Sequence, residues 1–248
     1  MNEKYIRNRI YLNTGEQALI KDYPILIAGC GIGSNIAECA LRFGFENLTL
    51  VDGDKVEESN LNRQNYTYEN ISDFKSESLY KRLKAINPQA SIQYLTEYIN
   101  LENIDQVIGD HKIAINALDF TSDLPIHFDR ICREKKISVI HPYNLGWAGL
   151  AVVVTPDGTP INSVSEDNFS ELELVKYIIS DLKLKKQPYE WLENTLNEYM
   201  NEEINLSPPQ LSIASFITAG LCTHLLYLLS LDKPLRKFPE YYINSAIL

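Results

Sequence analysis

The sequence predicts an α/β fold: a doubly wound, mostly parallel sheet with a helical insertion and a C-terminal buried helix followed by a strand. Three observations carry this reading. Short apolar runs alternate with helical patterns through the first half of the chain. The runs are near-continuously apolar, as strands covered on both faces must be. A glycine-rich turn, GCGIG (29–33), follows the first of them, as in Rossmann-like sheets.

In chain order, YPILIAG (23–29) reads as a strand and SNIAECALRFG (34–44) as a helix ending at Gly44. ENLTLVD (46–52) is the second strand. SDFKSESLYKRLKAINP (72–88) reads as a helix capped by Ser72 and stopped by Pro88. SIQYLTEYI (91–99), HKIAINALD (111–119) and KISVIHP (136–142) supply further strands. After LAVVVTPDGTP (150–160) the character changes, and residues 164–205 are highly charged. There Leu172, Val175, Ile178, Ile179 and Leu182 form one helical stripe, and Leu192, Leu196 and Tyr199 a second. These are two amphipathic helices lying on the core or closing over a site, inserted into a single domain spanning 1–248. LSIASFITAGLCTHLLYLLSL (211–231) carries no formal charge and is about long enough to span a bilayer. It contains His224 and Gly220 and lacks a basic cluster at its start, so it is read as a helix buried against the sheet, with Cys222 and His224 in the core. YYINSAIL (241–248) is the final strand.

The 248 residues are 45% apolar with a net charge of −10 and a pI near 4.9. No basic footprint for nucleic acid is visible, and an anionic membrane surface is an equally poor partner. The start, MNEKYIRNRIYLN, has no apolar segment suited to a secretory signal. Cys30, Cys39, Cys132 and Cys222 are scattered without a C-x-x-C pair, so no structural zinc is expected, and reduced thiols fit a cytoplasmic protein.

The chemistry gathers beyond the strand ends. Gly29, Gly31 and Gly33 permit a tight turn and the approach of a phosphate to a helix N-terminus. Asp52, at the end of the second strand, suits ribose hydroxyls. These two features alone are equally those of a nicotinamide or flavin enzyme. The segment continues, however, as VDGDKVEESNLNRQ (51–64), adding Asp54, Asn60, Arg63 and Gln64, with Lys75 following. A guanidinium, amides and an ammonium near the ribose suit a polyphosphate whose charge rises during reaction. Asp119, past the fourth strand, suits a hard cation such as Mg²⁺. The alternative is that Arg63 and Lys75 pair with Asp54, Glu57 or Glu69 on the surface.

Together these segments resemble the ThiF/MoeB family of ubiquitin-activating-enzyme-like adenylyltransferases. The resemblance rests on GCGIGSNIAECALRFGFENLTLVDGDKVEESNLNRQ with Lys75 and LDFTSD downstream. KYIRNRIYL (4–12) is similar to the family's N-terminal arginine segment, and PPQLSIASFITAGLCTHLLYLL to its late buried helix. The resemblance implies ATP and Mg²⁺ at the strand ends and attack of a substrate carboxylate on the α-phosphorus, releasing pyrophosphate. The carboxylate would be the C-terminus of a ubiquitin-like or sulfur-carrier protein, or of a peptide. It implies that Asp52 holds the ribose, that Asn60, Arg63 and Lys75 contact phosphates, and that Asp119 takes the metal. Arg7, or Arg9 nearby, would reach into the partner subunit's site of a homodimer. The glycine loop is one residue shorter than the family's, and residues 133–221 contain no cysteine for a thioester. HPYNLGWAGL (141–150) offers His141, Tyr143, Asn144 and Trp147 as candidates on the acyl-substrate side. Two other readings compete: a catalytically silent subunit of the same fold, and an NAD- or FAD-dependent oxidoreductase, which leaves the S-N-L-N-R-Q run without a role.

Overall fold

The computed structural model describes residues 3–120, 122–165, 169–204 and 206–245. After a 3₁₀ segment, Glu3–Asn8, come α1 (Thr14–Lys21), β1 (Ile25–Ala28), α2 (Ile32–Phe43) and β2 (Asn47–Val51). Next are α3 (Lys75–Ile86), β3 (Ser91–Leu95), α4 (Ile104–Ile108), β4 (Ile113–Asn116), α5 (Leu124–Glu134), β5 (Ser138–Asn144) and β6 (Ala148–Val154). The chain closes with α6 (Glu171–Leu184), α7 (Glu190–Met200), α8 (Ser212–Ser230) and β7 (Tyr242–Ser245).

The sheet order is β3-β2-β1-β4-β5-β6-β7. The pairs from β3 through β5 are parallel; β5 with β6 and β6 with β7 are antiparallel. The expected mostly parallel sheet is therefore present, and its direction reverses at the 145–147 turn after β5. Alternation along each strand divides the core. Ile25, Ile27, Ile113, Ile115, Ile140, Ala151 and Val153 face the layer containing Ile36, Leu41, Leu79 and Leu225 from α2, α3 and α8. Leu26, Ala28, Ala114 and Val139 face Val107 and Phe128 of α4 and α5. Further along the same side, Leu150, Val152 and Val154 pack on Leu174, Ile178 and Leu192 of α6 and α7. The charged segment thus covers the sheet beyond α5 with its apolar stripes.

Three sequence expectations need correction, and one helix was not read at all. The helix expected from residue 34 starts at Ile32, with Gly31 as its N-cap. The helix expected to be capped by Ser72 begins at Lys75 after Phe74, because Ser72 has a φ of 75° and lies in a turn that donates to Val56 O. α1, not read from the sequence, is closed by reciprocal bonds between Asn13 and Glu16. α8 is long and apolar enough to cross a membrane by length and composition, yet it packs on α2 and β6. Cys222 is in the core as expected, whereas His224 points to the exposed side. The last three residues of the expected final strand, 246–248, lie outside the described residues.

α8 approaches β6 closely at Gly149: a Cβ there would lie 2.6 Å from Thr218 Oγ1 and 2.7 Å from Thr218 N. Because one of these atoms is helix backbone, the clash cannot be relieved by a rotamer change. Gly149→Ala is expected to lower stability by about 3 kcal/mol, read as a reduced urea midpoint with an unchanged slope.

Candidate active site

The carboxyl ends of β1, β2 and β4 carry the predicted cluster. Gly29 leaves β1 with a φ of 91°, and a Cβ there would fall 2.3 Å from Ala117 O. Only glycine fits that turn. Gly31 caps α2 without a side chain, and Gly33 sits inside its first turn, where a Cβ would lie 2.8 Å from Ile27 Cγ2. The shortened loop thus leaves the start of α2 without a side-chain cap and packs it closely on β1 through Gly33 and Ile27.

Asp52 connects this turn to the following loop. Its Oδ2 accepts from Cys30 N–H at 2.6 Å and its Oδ1 from Asp54 N–H at 2.8 Å. Burial raises the Asp52 carboxyl above its usual range, outweighing these two donations and the nearby Lys75 ammonium. From the other side Tyr66 Oη donates to Cys30 O at 2.7 Å. Lys75, the first residue of α3, is buried and lies 2.9 Å from Asp54 Oδ2. Tyr98 donates to Asp54 Oδ1 at 2.8 Å. Burial would raise the Asp54 carboxyl, but the Lys75 and Tyr98 bonds hold it below the ordinary range. The pairing of Lys75 with Asp54 is the surface-pair alternative raised above, with the lysine end buried and the Asp54 end exposed.

Arg63 is held by its own loop and by a distant one. Its Nη1 donates to Ser59 O at 2.8 Å and to Asn62 Oδ1 at 2.9 Å, while its Nε donates to Gln210 Oε1. Asp119 lies near enough for its charge to bear on Arg63, opposing the lowering that burial imposes on the guanidinium. Asn60 uses its Oδ1 to accept from Glu57 N–H at 3.0 Å, so that oxygen shapes the loop. Gln64 lies against Gly31, and its Oε1 is buried without a partner.

Arg7 is not part of this cluster. Tyr5 donates to Glu46 Oε1 and Asn8 to Phe43 O, fastening the segment to the C-terminal end of α2. That end lies about 18 Å from the glycine turn along a twelve-residue helix. Of the residues suggested from the sequence for the substrate side, His141 and Tyr143 are buried, whereas Trp147 is exposed. Asn144 is a fastener: its amide donates to Leu211 O and Ser215 Oγ and accepts from Gly146 N–H and Leu211 N–H.

Sequence reasoning missed Gln210, Tyr98, Asp129 and Glu171. Glu171 opens α6, and its carboxyl is raised to about 7 by burial and then by the charge of Asp119. A helix-starting glutamate in a charged stretch looks like solvated surface, so no local signal marks it.

A glycine turn, a buried carboxylate, two cations held by internal partners and a further carboxylate gather at the strand tips of a doubly wound α/β sheet. The ThiF family profile matches residues 5–233, and the chain belongs to that family. The sulfur carrier protein ThiS adenylyltransferase of Bacillus subtilis is 30% identical over 166 residues, covering 64% of this chain and 49% of that protein. The SAMP-activating enzyme E1 of Haloferax volcanii is 24% identical over 147 residues, covering 58% and 53%. The chain spans about half the length of these relatives. Among solved structures, E. coli MccB with ATP shares the fold with a TM-score of 0.71 at 20% identity, over 98% of this chain and 71% of that one. PaaA does so at 0.66 and 22%, over 94% and 72%.

The position of Glu171 has a consequence for stability. The unfolded carboxyl titrates near 4.5 and the folded one near 7. In that window the folded state binds more protons, so this contribution is full below the lower value and is lost as pH rises through the upper one. Glu171→Gln is expected to gain on the wild type by at most about 3 kcal/mol as pH rises through that window, measured by urea unfolding of both proteins.

Proposed function

We propose that the chain is an ATP-dependent adenylyltransferase. It activates a substrate carboxylate, the C-terminus of a ubiquitin-like or sulfur-carrier protein or of a peptide, as an acyl-adenylate. The observation that carries this reading is the convergence of Asp52, Lys75, Arg63 and Asp119 around the Gly29–Gly33 turn in a member of the ThiF family. The naming of Bacillus subtilis and Haloferax volcanii relatives as a carrier-protein adenylyltransferase and an activating enzyme supports it, as does a fold shared with MccB bound to ATP.

In this reaction a carboxylate oxygen attacks the α-phosphorus while the bond to the pyrophosphate oxygen breaks. The nucleophile is already ionised, so the protein positions the reactants and offsets phosphate charge. Asp52 receives the ribose, and the uncapped start of α2 with Gly31 faces the phosphates. The unpartnered Gln64 Oε1 beside Gly31 fits a site completed by a polar ligand. Lys75 and Arg63 exchange their internal partners for phosphate oxygens. Asp119, exposed and carrying oxygen donors of the type Mg²⁺ prefers, would hold that ion, which supplies charge neutralisation to the phosphates. Arg7 lies too far from its own site to serve it, which supports a homodimer in which it acts in trans.

We further propose that no cysteine takes over the acyl group. Residues 133–221 contain no cysteine; Cys30, Cys132 and Cys222 are buried, which pushes each thiol up, and Cys39 is half-buried on α2 against the core. One observation favours a second reading, a catalytically silent partner subunit of the same fold: Lys75 and Arg63 are both satisfied internally.

Calorimetric titration with Mg·ATP and with NAD⁺ separates the readings. The wild type is expected to bind Mg·ATP, and Arg63→Ala and Asp119→Ala each to weaken binding by about tenfold or more. Gln210→Ala, which frees Arg63 without removing its charge, is expected to weaken it less. Binding of NAD⁺ without ATP would overturn the adenylation reading, and binding of neither would favour the silent subunit.

A further inference from the structure

α8 contains no Asp, Glu, Lys or Arg, and a helix apolar all round is ordinarily covered on every side. Here one face is open. Ile213, Phe216, Gly220 and His224, spaced by three and four residues, are exposed along it, and half-buried Ile217 and Leu228 flank them. Gly220 stands next to the midpoint of the Ser212–Ser230 helix. Among the described residues, a Cβ there would meet nothing within 4 Å. Internal packing therefore does not require glycine, which is among the poorest residues for a helix interior. A glycine at the centre of an exposed apolar stripe suits the close approach of a second backbone.

The two ends of α8 have different neighbours. Its N-terminal end borders the candidate site: Asn144 holds Leu211 and Ser215, and Gln210 holds Arg63. Its C-terminal end meets the N-terminal segment of the chain. Tyr227 packs edge-on against Phe43 at 5.7 Å and donates to Glu16 of α1, while Asn8 donates to Phe43 O. That segment exposes further apolar surface. Ile10 is 94% and Tyr11 83% exposed, and Ile10 is held at a φ of 79°, a costly conformation for a β-branched residue. The 19-residue helix is about 28 Å long. With exposed apolar residues at both ends, the face has the extent of interfaces that bury about 800 Å² on each partner.

We infer that this face of α8 packs antiparallel on the same face of a second copy, about a two-fold axis near Gly220. Such a contact is self-complementary, so an axis at Gly220 sets Phe216 against the partner subunit's His224. The same operation carries the N-terminal segment of one copy, which lies at the C-terminal end of its own α8, to the strand tips of the other. The partner subunit's Arg7 then stands at the edge of the site beside Arg63. Ile10 and Tyr11 gain apolar cover from Leu211 and Ile213, both exposed at that end of the helix. The task given to Arg7 rests on the adenylation reading, whereas the interface does not.

The test measures sedimentation of the wild type, Phe216→Glu, Gly220→Gln and, as a control at another exposed apolar position, Leu184→Glu. The wild type and the control are expected to be dimers at micromolar concentration. Phe216→Glu and Gly220→Gln are each expected to raise the dimer Kd about tenfold or more, with no fall in helix content, since Phe216 is exposed and glutamine is the better helix former. A monomeric wild type, a dimer unaffected by both substitutions, or dissociation by Leu184→Glu would overturn the inference. So would binding of the wild type to phosphatidylcholine vesicles that Phe216→Glu abolishes, which would make the stripe a membrane face. For the site, the double variant Arg7→Ala/Arg9→Ala and the variant Asp119→Ala are titrated with Mg·ATP separately and after subunit exchange. Each alone is expected to bind weakly, and the mixture to regain tight sites, because a mixed dimer joins one intact Asp119 to the partner subunit's Arg7. If the wild type binds Mg·ATP and mixing restores nothing, the placement of Arg7 is wrong. If a wild-type dimer binds no Mg·ATP, the adenylation reading falls and the interface stands.

Discussion

Asp52 holds the functional end of the sheet together. Its N–H donates to Leu95 O of β3, its C=O accepts from the Ser76 hydroxyl of α3, and its two carboxylate oxygens accept from Cys30 and Asp54. One residue therefore ties the glycine turn, the acidic loop, the third strand and the start of the next helix. Burial opposes its ionisation, and the backbone donors compensate by bonding to the charged form. The glycine turn and Lys75 keep their spacing because both are fastened, directly or through Ser76, to this one carboxylate residue.

The remainder of the fold supports that end from a distance. The close approach of α8 to Gly149 and the four bonds of Asn144 fix where the 207–211 segment runs, and that segment delivers Gln210 to Arg63. The cations are thus held in position by partners that a phosphate can replace. In a chain with a net charge of −10, such local pairing keeps two positive groups at the strand ends, where the proposed nucleotide phosphates would need them. The reversal of strand direction at β6 brings α6 over the β5 end, and with it Glu171 and the wall around Tyr143.

Most of the parallel sheet was legible because buried strands read as continuous apolar runs; Asp52 and Asp119 stand out because each follows such a run, and Arg63 and Lys75 because they lie on the polar loop after Asp52 and at the helix start beyond it. Direction was not legible at β6, since apolar content is the same for parallel and antiparallel pairing. The start of α2 was misplaced because glycines at 31 and 33 read as loop, whereas Gly33 packs against Ile27 inside the first turn and Gly31 serves as the N-cap. Gln210 lies 147 residues from Arg63, and Asp129 reaches His141 only because α5 crosses that face of the sheet. No periodicity or spacing encodes such contacts. Asn144 and Asn60 read as ligand groups, but Asn144 is bonded to the distant 211–215 segment and Asn60 Oδ1 to its own loop.

The most direct test of the account is a crystal structure of the protein with Mg²⁺ and a non-hydrolysable ATP analogue. The account predicts the ribose against Asp52, the phosphates over Gly29–Gly33, and the Lys75 ammonium moved from Asp54 to a phosphate oxygen. A nucleotide bound elsewhere, or one bound here with the Lys75–Asp54 pair intact and Arg63 still on Gln210, would contradict it.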